Sequence, residues 1–366
     1  MTFLVMGIIF FAIITIIIFT KRLDITTSAM AVVMSLGIVT QGVLARHFHP
    51  QLPASPGKYL SLLDMALWLA FLITFAAAYF NGNFKKRHYD NPMNRFGFGT
   101  WVAGTSICGI LLYNQFPQWS VLSEITAWLN MGLWMIYMII CGKTLHNVSI
   151  HEFRKKAHGI LLLTTVGTQS MILLVNTVFT NVPDILNAGW MSIGLCFYLI
   201  CSTLIIQRYL ICGWNLERDW NNTNCILHGA LSITGIAWLK ADIRPDEAVN
   251  VIWMAALAIF MLVEMIEIRR LLKRVRSFGV KQGIFVYDVT QWSRIFTFAM
   301  FYTFTSFIDM TQPVFSRLKE AITTAGVWVI LFLVLLEIML SLHHMFLRAD
   351  GRAKALGKED KAIPPV

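Results

Sequence analysis

Few side chains in this sequence are placed to do chemistry. The six cysteines, Cys108, Cys141, Cys196, Cys201, Cys212 and Cys225, form no CxxC pair and no zinc or secreted-disulfide spacing, and read as small apolar fillers. His47 and His49 flank Phe48 ahead of Pro50. Two imidazoles without carboxylate or thiol company read as a solvated loop rather than a metal site, and His343-His344 is equally bland. There is no Ser-His-Asp order, no HExxH, no GxxxxGK[ST] and no dinucleotide fingerprint. The expectation is a protein that is not an enzyme and needs neither metal nor cofactor.

What recurs instead is a stripe of small and polar residues on one helical face of every second apolar run. At 3.6 residues per turn, Met34, Gly37, Thr40 and Gln41 align, as do Gly97, Thr100, Gly104 and Cys108, then Thr165, Gln169 and Asn176. Asn224, His228, Ser232 and Gly235 follow, and finally Ser293, Phe296, Ala299 and Thr303. For any one helix the simpler reading is close helix packing, because small residues let backbones approach in a membrane. Five stripes on alternate helices favour a shared polar path lined by Gly37, Thr40, Thr100, Gly104, Thr165, Gln169, Asn224, His228, Ser232, Ser293 and Thr303. These stripes carry no Asp or Glu, so hydroxyls, amides and one imidazole would tolerate an anion better than a cation. Phe296 on its stripe could plug a narrow path, although a membrane Phe is more often plain packing. Arg294, about 200° round the same helix, reads as an interfacial anchor at the inner mouth.

The elements that must position these residues follow from composition. Of 366 residues, 57% are hydrophobic and 14% charged, with mean hydropathy +0.63, against about 25% charged in a soluble domain. Apolar runs can be marked at 3–20, 25–44, 60–82, 97–114, 122–142, 158–179, 186–207, 223–241, 250–268, 289–308 and 323–345, each near the length of about 20 residues that crosses a bilayer. The net charge of +10 does not point to nucleic acid, because the basic residues lie in loops between apolar runs. With alternating sides, only Arg46, Lys58, Lys240, Arg244, Arg317 and Lys319 of the thirty Lys and Arg fall on one side. The positive-inside rule then sets the N-terminus outside and the C-terminus in the cytoplasm. The first run has Lys21-Arg22 after it and no basic stretch before it, the reverse of a signal peptide, and reads as a membrane helix. Arg269 to Arg276 reads as an inner-leaflet anchor, with a regulatory partner or anionic lipid as the sharper alternative. Residues 348–366 read as a polar, disordered tail. Glu267 is spaced to pair locally with Arg270, whereas Glu337 lies deep in an apolar run, where it should be protonated, paired or at a subunit contact.

Six segments, in order, resemble the tellurite-resistance/dicarboxylate transporter family, which includes the slow-type anion channels. VVMSLGIVT (32–40) is similar to that family's first-helix VMxTGI pattern, FGFGTWVAGTSICG (96–109) to its third helix and GTQSMILL (167–174) to its fifth-helix TQS element. IIQRYL (205–210), NCILHGALSITGIA (224–237) and YDVTQWSRIFTFAMFYTFT (287–305) resemble its sixth, seventh and ninth helices. The resemblance spans about 25–345. It implies an all-α polytopic membrane protein whose ten-helix core, 25–347, makes five helical hairpins around a central pore, with 1–24 an additional helix. It further implies homotrimers, transport of small anions and an aromatic gate at Phe296; the location expected for the chain is a bacterial plasma membrane. The family's Pro after the gate is Thr297 here, and no proline falls inside a span, so Gly37, Gly104, Gly167 and Gly229 would have to supply the bends. Two other functions stay open: a proton-coupled C4-dicarboxylate carrier, which would need a titrating Glu264 or Glu337, and a non-transporting subunit that binds a cytoplasmic partner through 269–281.

Overall fold

In the computed structural model, which describes residues 2–48, 54–147, 154–243, 247–309 and 313–359, the chain is all-helical, with no strand among the described residues. Eleven helices follow one another: α1 (Thr2–Thr20), α2 (Thr27–His47), α3 (Ala54–Phe80), α4 (Pro92–Gln115), α5 (Pro117–Asn147), α6 (Gly159–Val178), α7 (Asp184–Ile211), α8 (Ile226–Lys240, after the 3-10 turn Asn222–Cys225), α9 (Glu247–Gly283), α10 (Gln291–Phe307) and α11 (Pro313–Glu359). Among the described residues nine of these are long and apolar enough to cross a membrane. The exceptions to the eleven expected spans are α8 and α10, whose regular helix is 15 and 17 residues.

The even-numbered helices close on themselves. α2 packs on α4, α4 on α6, α6 on α8, α8 on α10, and α10 returns to α2. The odd-numbered helices lie outside this ring, with α3 against α4, α5 against α4 and α6, α7 against α6, α9 against α8 and α11 against α10. α1 packs on α3, with Phe3 against Tyr59 and Gly7 against Leu62. Burial follows the same division. Nearly all of α6 and α8 is buried, whereas the outer helices expose large apolar side chains such as Leu129 (70%) and Phe332 (64%). Such faces have no place in water and suit a lipid surrounding.

Glycine allows the closest approaches in the ring. A Cβ on Gly229 or Gly235 of α8 would overlap Thr297 or Phe304 of α10, and one on Gly42 of α2 would overlap Thr303. Gly104 lies under Met30 and Val33, and Gly167 under the Tyr137 ring. The glycines expected to bend the helices therefore serve as contact faces. α2 instead departs from α-helix through a π segment at Val39–Leu44, and α4 is interrupted at Phe98. α11 also differs from expectation, because its helix continues to Glu359 through a stretch rich in the helix formers Ala, Leu and Lys.

Candidate functional site

All five ring helices start at the same end of the bundle, and their caps are local. The Asn91 side chain accepts from Met93 N at 3.0 Å with Pro92 opening α4, and the Asn221 side chain accepts from Thr223 N at 3.0 Å ahead of α8. α2, α6 and α8 each begin on a 3-10 turn. Orphan N–H groups and the positive ends of five helix dipoles thus point into one mouth.

That mouth is a cavity of about 1030 Å³. Arg87, Lys155, Lys156, Arg208 and Arg218 line it, with Asp24 and Asp219 as its carboxylates. Arg87 stands 3.6 Å from Asp24 on an exposed surface. Arg208 is built in, donating to Ala157 O at 2.8 Å and to Asp219 O at 3.3 Å, and so ties the end of α7 to the start of α6. Next to it the Tyr209 hydroxyl accepts from Asn224 Nδ2 at 2.8 Å, and Asn224 Oδ1 accepts from Gly159 N at 3.0 Å. Two imidazoles border the cavity. His158 lies 2.8 Å from Thr223 Oγ1, and burial followed by the nearby Arg208 pulls it down to about 4. His88 lies 3.0 Å from Thr27 Oγ1, and burial and Arg87 lower it from the ordinary imidazole value. The lining cations thus belong to Lys and Arg.

Behind the mouth the ring is packed shut. On α10, Thr297 and Phe304 meet α8, and Thr303 meets Gly42 of α2. At about 100° per residue, Ser293, Phe296 and Met300 fall between those two faces, on the side turned to the ring's axis. Phe296 is 1% exposed. On α6, Ser170 meets Ser106 of α4, while Thr165 donates to Gly194 O of α7 and Gln169 packs over that same glycine. The face of α6 turned away from α4, α5 and α7 carries Val166 and Leu173 and is shared by α8 and the axis, and the face of α4 between its contacts with α2 and α6 carries Ala103 and Ile110.

The striped residues are buried in the ring except Gln41 and Asn176, which are half-buried, and many meet a neighbouring helix. Gly37 faces Ile107 and Asp64; Thr100 Oγ1 donates to Gly97 O within its own helix, and Gly104 lies under α2. Thr40, Ser232 and Thr303 donate to Leu36 O, His228 O and Ala299 O one turn back. His228 packs at 4.8 Å from the Phe260 ring of the outer α9, with neither ring nitrogen partnered. Asn224 sits at the mouth. Thr165 and Gln169 turn to the outer layer, because the Cβ-free Gly194 leaves room for them there. Arg294 is half-buried, its side chain 17% exposed, and it is held by carboxylates of α9. It pairs with Glu267 at 2.7 Å and lies 3.8 Å from Glu264, and Glu267 is also 3.6 Å from Arg270, the local pair expected. Glu337 is 4% exposed, and its Oε1 has no hydrogen-bond partner. His47 packs against Phe48 and Trp328, whereas His49 lies outside the described residues.

Two features were missed in the sequence. The convergence of Arg87, Lys155, Lys156, Arg208 and Arg218 is invisible until the ring closes. Asp64, inside the apolar run of α3, is 1% exposed with both carboxylate oxygens unpartnered, and it reaches into the α2/α4 wall where Gly37 has no side chain. Its only signal was a lone Asp in a span, which in a membrane is costly and marks a position of interest.

A family model described as voltage-dependent anion channel matches residues 24–340. No curated protein matches the chain.

Proposed function

Because the chain belongs to the voltage-dependent anion channel family, we propose that small anions collect in the basic mouth and cross along the axis of the five-helix ring, past a gate formed by the Phe296 ring. The observation that carries this reading is that mouth. Five Lys and Arg and five helix N-termini converge on one cavity at the end of a closed ring. Residues 25–347 form the transport domain, α8 and α10 complete eleven spans, and α1 is an addition outside the ring. The mouth faces the cytoplasm, where the positive-inside rule puts Lys and Arg. The protein is a homotrimer of the bacterial plasma membrane, and its apolar outer helices provide the surface for both lipid and neighbouring copies.

The side chains have separate tasks in this reading. The mouth concentrates anions and rejects cations by its field. The axis, lined by Val166, Leu173, Ala103, Ile110, Phe296 and Met300, offers no carboxylate and little hydration, so only a weakly hydrated anion crosses cheaply. Ser293 supplies a hydroxyl on the mouth side of the gate, whereas Thr303 is spent on the contact with α2. Purified protein in proteoliposomes, tested with chloride, nitrate, sulfite and malate, measures this directly. Flux of at least one anion, with none of potassium, is expected. Silence toward all four would refute the transport reading.

A further inference from the structure

Beyond the mouth's role in ion passage, its size and surroundings do not match a small monovalent anion. A volume of about 1030 Å³ holds roughly thirty waters at about 30 Å³ each. Five cations spread around that space cannot all touch one chloride or nitrate, yet an extended chain of phosphates would reach several of them at once. A second cavity of about 520 Å³ adjoins it and shares Lys155, Arg208 and Asp219 as lining. Trp214 borders this second space, with 38% of its surface exposed. The indole is held in place, its Nε1 donating to Tyr209 O at 2.9 Å and its ring lying edge-on to Tyr209 at 4.9 Å. A fixed, exposed indole beside a basic cavity pairs a stacking platform with a polyanion cradle.

From this juxtaposition we infer that the mouth and its side cavity form a binding site for a nucleoside triphosphate, with phosphates on Lys155, Lys156, Arg208 and Arg218 and the base stacked on Trp214. The two carboxylates of the mouth are outnumbered by its five cations. Asp219 Oδ2 is engaged by Asn215 N at 2.6 Å, Glu217 lies 3.4 Å from Lys273, and Asp24 stands beside Arg87 across the mouth. A nucleotide seated there fills the mouth and is too large for the closed ring behind it, so it acts on flux as a plug from that side.

Binding can be measured without any flux, so the site and the transport reading fail separately. Full-length protein in nanodiscs is titrated by calorimetry with ATP, tripolyphosphate and AMP at constant ionic strength. ATP is expected to bind about tenfold tighter than tripolyphosphate, in line with one base stacked on an aromatic ring, and AMP much more weakly. Trp214→Leu should bring ATP down to the tripolyphosphate level and leave tripolyphosphate unchanged, and Lys155→Gln with Arg218→Gln should weaken both. Unfolding temperatures show whether each variant is folded. Were Trp214→Leu to misfold, the wild-type ratio of ATP to tripolyphosphate would still decide. Equal affinity for the two ligands would overturn the nucleotide assignment, and ATP binding no tighter than chloride would overturn the site altogether.

Discussion

Phe296→Ala is the substitution on which the proposed gate stands or falls. The ring is 1% exposed and lies on the axis side of α10, between the faces that meet α2 and α8. For an anion to pass, the ring must leave this position and lose the packing it has there, a cost like that of truncating a buried Phe, about 3–5 kcal/mol. At about 1.4 kcal/mol per factor of ten, the closed ring holds flux down by roughly two to four orders of magnitude. Phe296→Ala should recover most of that, at the expense of a similar loss of stability. Phe298→Ala is the control, since Phe298 faces Phe260 of α9 at 4.9 Å on the outer side and should cost stability without opening anything. Anion efflux from proteoliposomes, normalised to folded protein, reads the difference. A rise of equal size in both variants, or in neither, would refute the reasoning.

A base with a folded value of about 4 against an ordinary 6.5 makes folding pH-dependent, and His158 is such a group. Above 6.5 both states are neutral and nothing is lost; below it only the unfolded chain takes the proton, so stability falls by about 3 kcal/mol between 6.5 and 4 and then levels off. Fluorimetric melting should show a steeper acid-side decline in the wild type than in His158→Gln, and identical profiles would exclude His158 as the cause. Gly229→Ala, whose Cβ would overlap Thr297, should destabilise by about 1–3 kcal/mol, whereas Gly142→Ala, with open space around it, should be neutral or slightly stabilising; chemical or thermal denaturation of the pair compares them. In intact cells an impermeant thiol reagent should reach a Cys placed at Asp184 but not one at Lys281, and the reverse pattern would invert the proposed orientation.

The ring was legible because small and polar residues are tolerated in a membrane only where helices bury them, so alternate stripes singled out α2, α4, α6, α8 and α10 before any contact was known. The direction of each stripe was not. Periodicity marks Thr165 and Gln169 as one face of α6, but which neighbour that face meets depends on Gly194, a residue in another helix with no periodic signature of its own. Arg294 was separated from the Phe296 face by angle alone, yet its two carboxylate partners lie in α9, about thirty positions earlier in the chain, and only the fold brings them within reach. The mouth followed the same pattern. Arg87, Lys155 and Arg218 lie in separate connections of the sequence, and their convergence on one cavity depends on five helices beginning at one level.

That shared starting level also makes the two ends of the ring unequal. Each helix places about half a positive charge at its beginning and half a negative charge at its end, so in the proposed path the basic mouth would hold a standing reservoir of anions while the opposite mouth would be rimmed by backbone carbonyls. A path with a filled reservoir on one side and a depleted one on the other carries more current in one direction than in the other at equal and opposite voltages. Current through the open ring should therefore rectify in symmetric salt. The asymmetry should shrink as salt is raised, because added ions screen the charge that fills the reservoir.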